Sequence, residues 1–85
     1  MEKSTAFANA MSVYMFAESK YPQYTKTMYQ SPTYIEVTLH IDAHFVLAQI
    51  CQEDIEDVII PDARIKLETI DDGERHLLNI DYFID

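Results

Sequence analysis

Residues 63–85, ARIKLETIDDGERHLLNIDYFID, decide the fold, because they read as two strands folded about one turn. Asp72 and Gly73 suit a tight turn that needs positive φ, and the sequence alternates apolar and polar residues on both sides of them. Folding there sets Ile65 opposite Ile80, Leu67 opposite Leu78 and Arg64 opposite Asp81. Slipping the register by one sets Ile65 against Asn79 and Lys66 against Leu78, which mixes the two faces, so the first register wins. The pattern predicts strands near 62–70 and 75–84.

Upstream, TYIEVTLHI (33–41) alternates Ile35, Val37, Leu39 and Ile41 with Tyr34, Glu36, Thr38 and His40, the period of a half-buried strand. Two helices complete the pattern. One spans about 4–20, capped by Ser4 or Thr5, with Phe7, Ala10, Met11, Tyr14 and Ala17 as its apolar face and Pro22 ending it. The other spans about 43–56, capped by Asp42, with Val46, Leu47, Ile50, Cys51 and Ile55 at helical spacing. A strand through FVLAQI is the alternative there, but that segment lacks alternation.

The expected architecture is α+β: a single domain over residues 1–85, with an antiparallel sheet of three strands, or four if DVII (57–60) joins. Both helices cover the face made by Ile35, Val37, Leu39, Ile65, Leu67, Leu78 and Ile80. The opposite face shows Tyr34, Glu36, His40, Lys66, Glu68, Leu77, Asp81 and Phe83. On it, Leu77 and Phe83 are candidates for a small apolar patch.

The formal net charge is -9 over 85 residues, with 48% hydrophobic residues. A chain so acidic is repelled by phosphate backbones and anionic membranes. The charge is uneven. Through Tyr34, two acids stand against three lysines, whereas residues 35–85 hold thirteen acids against Arg64, Lys66 and Arg75. The one cysteine, Cys51, has no partner for a disulfide, and no apolar run approaches the ~20 residues of a membrane span. The expectation is a soluble cytoplasmic protein.

No motif points to catalysis, and no cofactor is expected. His40, Asp42 and His44 in HIDAH resemble a two-histidine, one-carboxylate metal set only if the strand continues through them. A helix starting at Asp42 scatters them. Cys51 is followed by Glu53, Asp54, Glu56 and Asp57, whose negative charge disfavours a thiolate. The only glycine sits in a turn, which excludes a glycine-rich phosphate loop.

Two features carry the functional expectation. Glu53, Asp54, Glu56 and Asp57 fall at the end of the second helix, where carboxylates oppose the helix dipole, and Asp71, Asp72 and Glu74 make a negative hairpin tip. The segment YPQYTKTMYQSPTY (21–34) reads as a loop in which Tyr24, Tyr29 and Tyr34 supply interface-type area while other rings close over the core. Together they describe a small inhibitor that docks on the basic nucleic-acid-binding surface of another protein, its acids standing in for phosphates. Phage-encoded antagonists of host defence and immunity proteins against nucleases have this physical profile. The alternative is a self-associating module that pairs through Leu77, Phe83 and the tyrosine-rich segment.

Overall fold

The computed structural model describes residues 1–58 and 63–85. The element order is α1 (Lys3–Lys20), β1 (Thr25–Gln30), β2 (Tyr34–Ile41), α2 (Phe45–Glu56), β3 (Arg64–Ile70) and β4 (Arg75–Phe83). The four strands form one antiparallel sheet in the order β1-β2-β4-β3. Both helices pack on the same face, α1 over β1, β2 and β4, and α2 over β3 and β4.

The β3–β4 hairpin adopts the expected register, with Arg64 opposite Asp81, Ile65 opposite Ile80 and Leu67 opposite Leu78. Its turn places Asp71, Asp72 and Gly73 at positive φ (50°, 55° and 92°). Two non-glycine residues in that region fit the tolerance of Asp for left-handed geometry. On β2, Ile35, Val37, Leu39 and Ile41 are buried, as their alternation predicts, and Leu78 and Ile80 meet them from β4. Ile65 and Leu67 are only half-buried because β3 is an edge strand.

The fourth strand comes from residues 25–30, which read as loop. Thr25, Thr27 and Tyr29 alternate with Lys26 and Met28, and Thr and Tyr suit a pleated, half-buried surface. Ser31 closes the β1–β2 turn, its Oγ accepting from the Thr33 and Tyr34 amides at 3.2 and 3.1 Å. Of DVII, Asp57 and Val58 follow α2 directly, and Ile59 and Ile60 lie outside the described residues.

Three local expectations are corrected. The N-cap of α1 is Glu2 rather than Ser4 or Thr5, with no side-chain cap bond. The carbonyl of Met1 accepts the Asp85 amide at 2.9 Å, which lays the residues ahead of the helix along the end of β4 and starts α1 early. Asp42 does not cap α2; His44 holds that position. His76, buried on β4, pairs through Nδ1 with the Ala43 carbonyl at 3.0 Å and so delays the helix. The buried stripe of α1 is Ala6, Ala10, Val13 and Ala17, while Phe7 is 42% exposed. Small side chains let the helix axis approach the sheet closely, and that rotates the larger Phe7 and Met11 toward the rim.

Candidate protein-binding surfaces

Helix α2 buries only Ala48, Cys51 and Ile55. Four large apolar residues expected to share that burial, or adjacent to those expected, stand in solvent instead: Phe45 (49% exposed), Val46 (64%), Leu47 (48%) and Ile50 (46%). Val58, just past the helix, is also exposed. On a helix whose inward line is 48-51-55, Val46 and Ile50 lie on the opposite side and Phe45 and Leu47 on the flanks. Val46, Leu47 and Ile50 adjoin one another at three- and four-residue spacing, while Phe45 lies on the other flank with its ring centre 5.7 Å from that of His76, and an exposed apolar patch of this kind marks an interaction surface.

Acidic groups bracket that patch. At its C-terminal end, α2 runs unbroken through Glu53, Asp54 and Glu56 to Asp57, with no basic residue in the last turn. At the other end, Asp72 and Glu74 of the hairpin tip border one depression together with Asp42, His44 and Leu47. The helix separates these ends by about 18 Å at 1.5 Å per residue. The two clusters differ in cost. Acids beside a helix N-terminus are favourable, so Asp42, Asp72 and Glu74 have a structural reason to be there, whereas Glu53, Glu56 and Asp57 oppose the dipole.

Asp54 stands apart from its neighbours. It accepts a hydrogen bond from the Tyr21 hydroxyl and pairs with Lys20 Nζ at 3.1 Å, tying the end of α1 to the end of α2. The Tyr21 bond first, and then Lys20, hold its carboxyl below the usual range. Glu53, Glu56 and Asp57 have no basic partner among the described residues. Asp71 pairs with Arg75 within the hairpin, leaving Asp72 and Glu74 as the unneutralised part of the tip.

The tyrosines divide between the two sides of the sheet. Tyr21 and Tyr24 pack against the core, their ring centres 6.0 Å apart, and Tyr24 lines a cavity of about 310 Å³ with His40, Asp42, Arg75 and His76. Tyr29 and Tyr34 lie on the open sheet face, 5.7 Å apart, and Tyr34 lies 6.3 Å from Phe83. The acids and tyrosines therefore do not make one surface. The hairpin tip and the Tyr29–Tyr34–Phe83 row occupy opposite ends of the sheet, and the α2 patch lies on its other side.

Leu77 and Phe83 share the open face, but Asn79 and Asp81 lie between them on the same strand. Six residues at about 3.3 Å each set them about 20 Å apart, so they do not form one patch. On that face Asp81 was expected in water, yet its side chain is 4% exposed, covered on one side by Arg64, whose Nη2 donates to Oδ2 at 2.8 Å. Glu36 stands directly opposite it. Hydrogen bonding to Asp81, then burial, push the Glu36 carboxyl up to about 7.

The remaining candidates have structural surroundings. Cys51 is buried and burial pushes its thiol up, which removes nucleophilic character at neutral pH. Strand β2 ends at Ile41, so His40 is on the open face while Asp42 and His44 belong to the connection into α2. No described helix is long and apolar enough to cross a membrane. Compared with family models, curated proteins and solved structures, the chain matches none of them.

Proposed function

We propose that this chain is a non-catalytic protein-binding antagonist that docks α2 on the basic, nucleic-acid-binding surface of another protein. The observation that supports this reading is the group Val46, Leu47 and Ile50, with Phe45 on the far flank, left in solvent between two acidic ends. The apolar row supplies the desolvated centre of an interface, and Glu53, Glu56 and Asp57 at one end, with Asp72 and Glu74 at the other, meet basic groups that otherwise hold phosphates. A complementary target carries Lys or Arg clusters roughly 18 Å apart, the length of the helix.

Charge argues against a second copy as the occupant. Pairing α2 with itself, parallel or antiparallel, brings an acidic end against an acidic end, and like charges in a closing interface are costly. The same charge, repelled by nucleic acid, favours a basic protein as the target.

The test is affinity capture from a nuclease-treated lysate, eluted with rising salt. The expected result is a nucleic-acid-binding protein released at moderate salt, whose own nucleic-acid binding is lost when this chain is added. Capture of the chain alone, or of a target whose nucleic-acid binding is unaffected, contradicts the proposal.

A further inference from the structure

The open sheet face repeats one arrangement twice. Across the central β2–β4 pair, Glu36 stands opposite Asp81 and Tyr34 opposite Phe83. Each central strand thus contributes a carboxyl and, two residues away on the same face, an aromatic ring. On the β4 side this arrangement holds a guanidinium. Arg64 is the cross-strand neighbour of Asp81, donates to its Oδ2 at 2.8 Å, and lies 5.0 Å from the Phe83 ring centre.

On the β2 side, the outer neighbour of Glu36 is Tyr29 of β1, whose ring adjoins Tyr34. No basic side chain pairs with Glu36 among the described residues. Asp81, nine-tenths buried, has an oxygen, Oδ1, that no donor among those residues meets while Glu36 is ionised. Glu36 is the cross-strand partner of Asp81, and only a protonated Glu36 carboxyl can donate to it. Of the two facing carboxyls only Asp81 has a cation, and the rings of Tyr29, Tyr34 and Phe83 lie beside them.

We propose that Glu36, Tyr29 and Tyr34 form a binding site for a guanidinium, presented by an arginine side chain of another molecule and held as Arg64 is held by Asp81 and Phe83. A guanidinium is planar and weakly hydrated, so it stacks on a ring while donating in its plane to a carboxylate. An ammonium is a compact, strongly hydrated charge and uses this geometry less well. The site lies across the sheet from α2 and does not rest on the docking role of that helix.

The groups facing Glu36 are Tyr29 from β1, Tyr34 and Thr38 on its own strand, Asp81 from β4, and Arg64 and Glu68 from β3, with Lys66 paired to Glu68. Around neutral pH the Glu36 carboxyl keeps a proton in a large fraction of molecules, and an arriving cation displaces it. Binding thus releases protons and tightens as pH rises from 6 to 8.

The test titrates N-acetylarginine amide into the full chain and follows the Tyr29 and Tyr34 ring signals and the Glu36 carboxyl carbon by NMR. A saturable shift of both rings is expected, with Glu36→Gln and Tyr29→Leu each weakening affinity about tenfold. Saturating ligand lowers the Glu36 titration midpoint by about one pH unit. N-acetyllysine amide binds several-fold more weakly. Non-saturating shifts, or unchanged affinity in both folded variants, overturn the site; equal affinity for the lysine analogue overturns its assignment to guanidinium.

Discussion

The two helices lie on the same face of one sheet and each buries a line of mostly small residues, yet α2, the shorter, leaves more large apolar residues in water. Helix α1 approaches the sheet through Ala6, Ala10, Val13 and Ala17, all buried, and leaves Phe7 and Met15 exposed. Helix α2 turns Ala48, Cys51 and Ile55 inward and leaves Phe45, Val46, Leu47 and Ile50 in water. Apolar residues at helical spacing therefore do not by themselves identify the buried face. Where small residues form a line of their own, that line allows the closest approach to the sheet and takes the core, and large residues beside it remain available to a partner.

The contrast breaks most visibly under substitution. Ala10→Leu forces extra volume beneath α1 and is expected to destabilise the protein by about 1 to 3 kcal/mol in urea unfolding, because a packed contact with the sheet has no room for it. Val46→Ser and Ile50→Ser on α2 are each expected to change stability by no more than ~0.5 kcal/mol, since both side chains already face water. If the α2 substitutions destabilise as much as the α1 substitution, the buried and exposed lines of the helices do not differ as described. Reversing the charges at Glu53, Glu56 and Asp57 to Lys is expected to slow association with the captured target at least tenfold in low salt. A rate unchanged in low salt removes the steering role of that end.

The two faces of the sheet extend the comparison, because the covered face is apolar and the open face holds Glu36 beside Asp81. A carboxyl whose folded pKa is raised binds more protons in the folded state than in the unfolded state between about pH 4.3 and 7. Stability contributed by this group therefore falls as pH rises through that window and levels off above it. Chemical denaturation from pH 5 to 8 should show the decline, and Glu36→Gln should flatten it and raise stability at pH 8 relative to the unsubstituted chain. The smallest effect is expected at the tie between the helix ends. Tyr21→Phe removes one hydrogen bond to Asp54 and should cost about 1 kcal/mol, measured by the same unfolding assay.

What was legible in the chain follows from how locally it is determined. The β3–β4 register was readable because apolar alternation and the Asp72–Gly73 turn specify it together. Strand β2 was readable from its period alone. Strand β1 is not legible, because two prolines and four tyrosines obscure a short Thr-Lys-Thr-Met-Tyr alternation. The start of α2 depended on His76, 33 residues away from Ala43, which no local capping pattern reveals.

The candidate surfaces were legible in part. The acids at the end of α2 stood out because they oppose the dipole, and the helix does end among them. The exposed apolar row did not stand out, since its spacing is the spacing of a buried face. The division of the tyrosines depends on which residues pair across strands, and so does the meeting of Glu36 with Asp81, 45 positions apart in sequence.

The most direct test of the account compares capture by the unsubstituted chain with capture by the Val46→Ser/Ile50→Ser double variant, both shown to be folded, from the same nuclease-treated lysate. The account predicts that a nucleic-acid-binding protein retained by the first is lost from the second. Equal retention by both, or retention of no such protein by either, contradicts it.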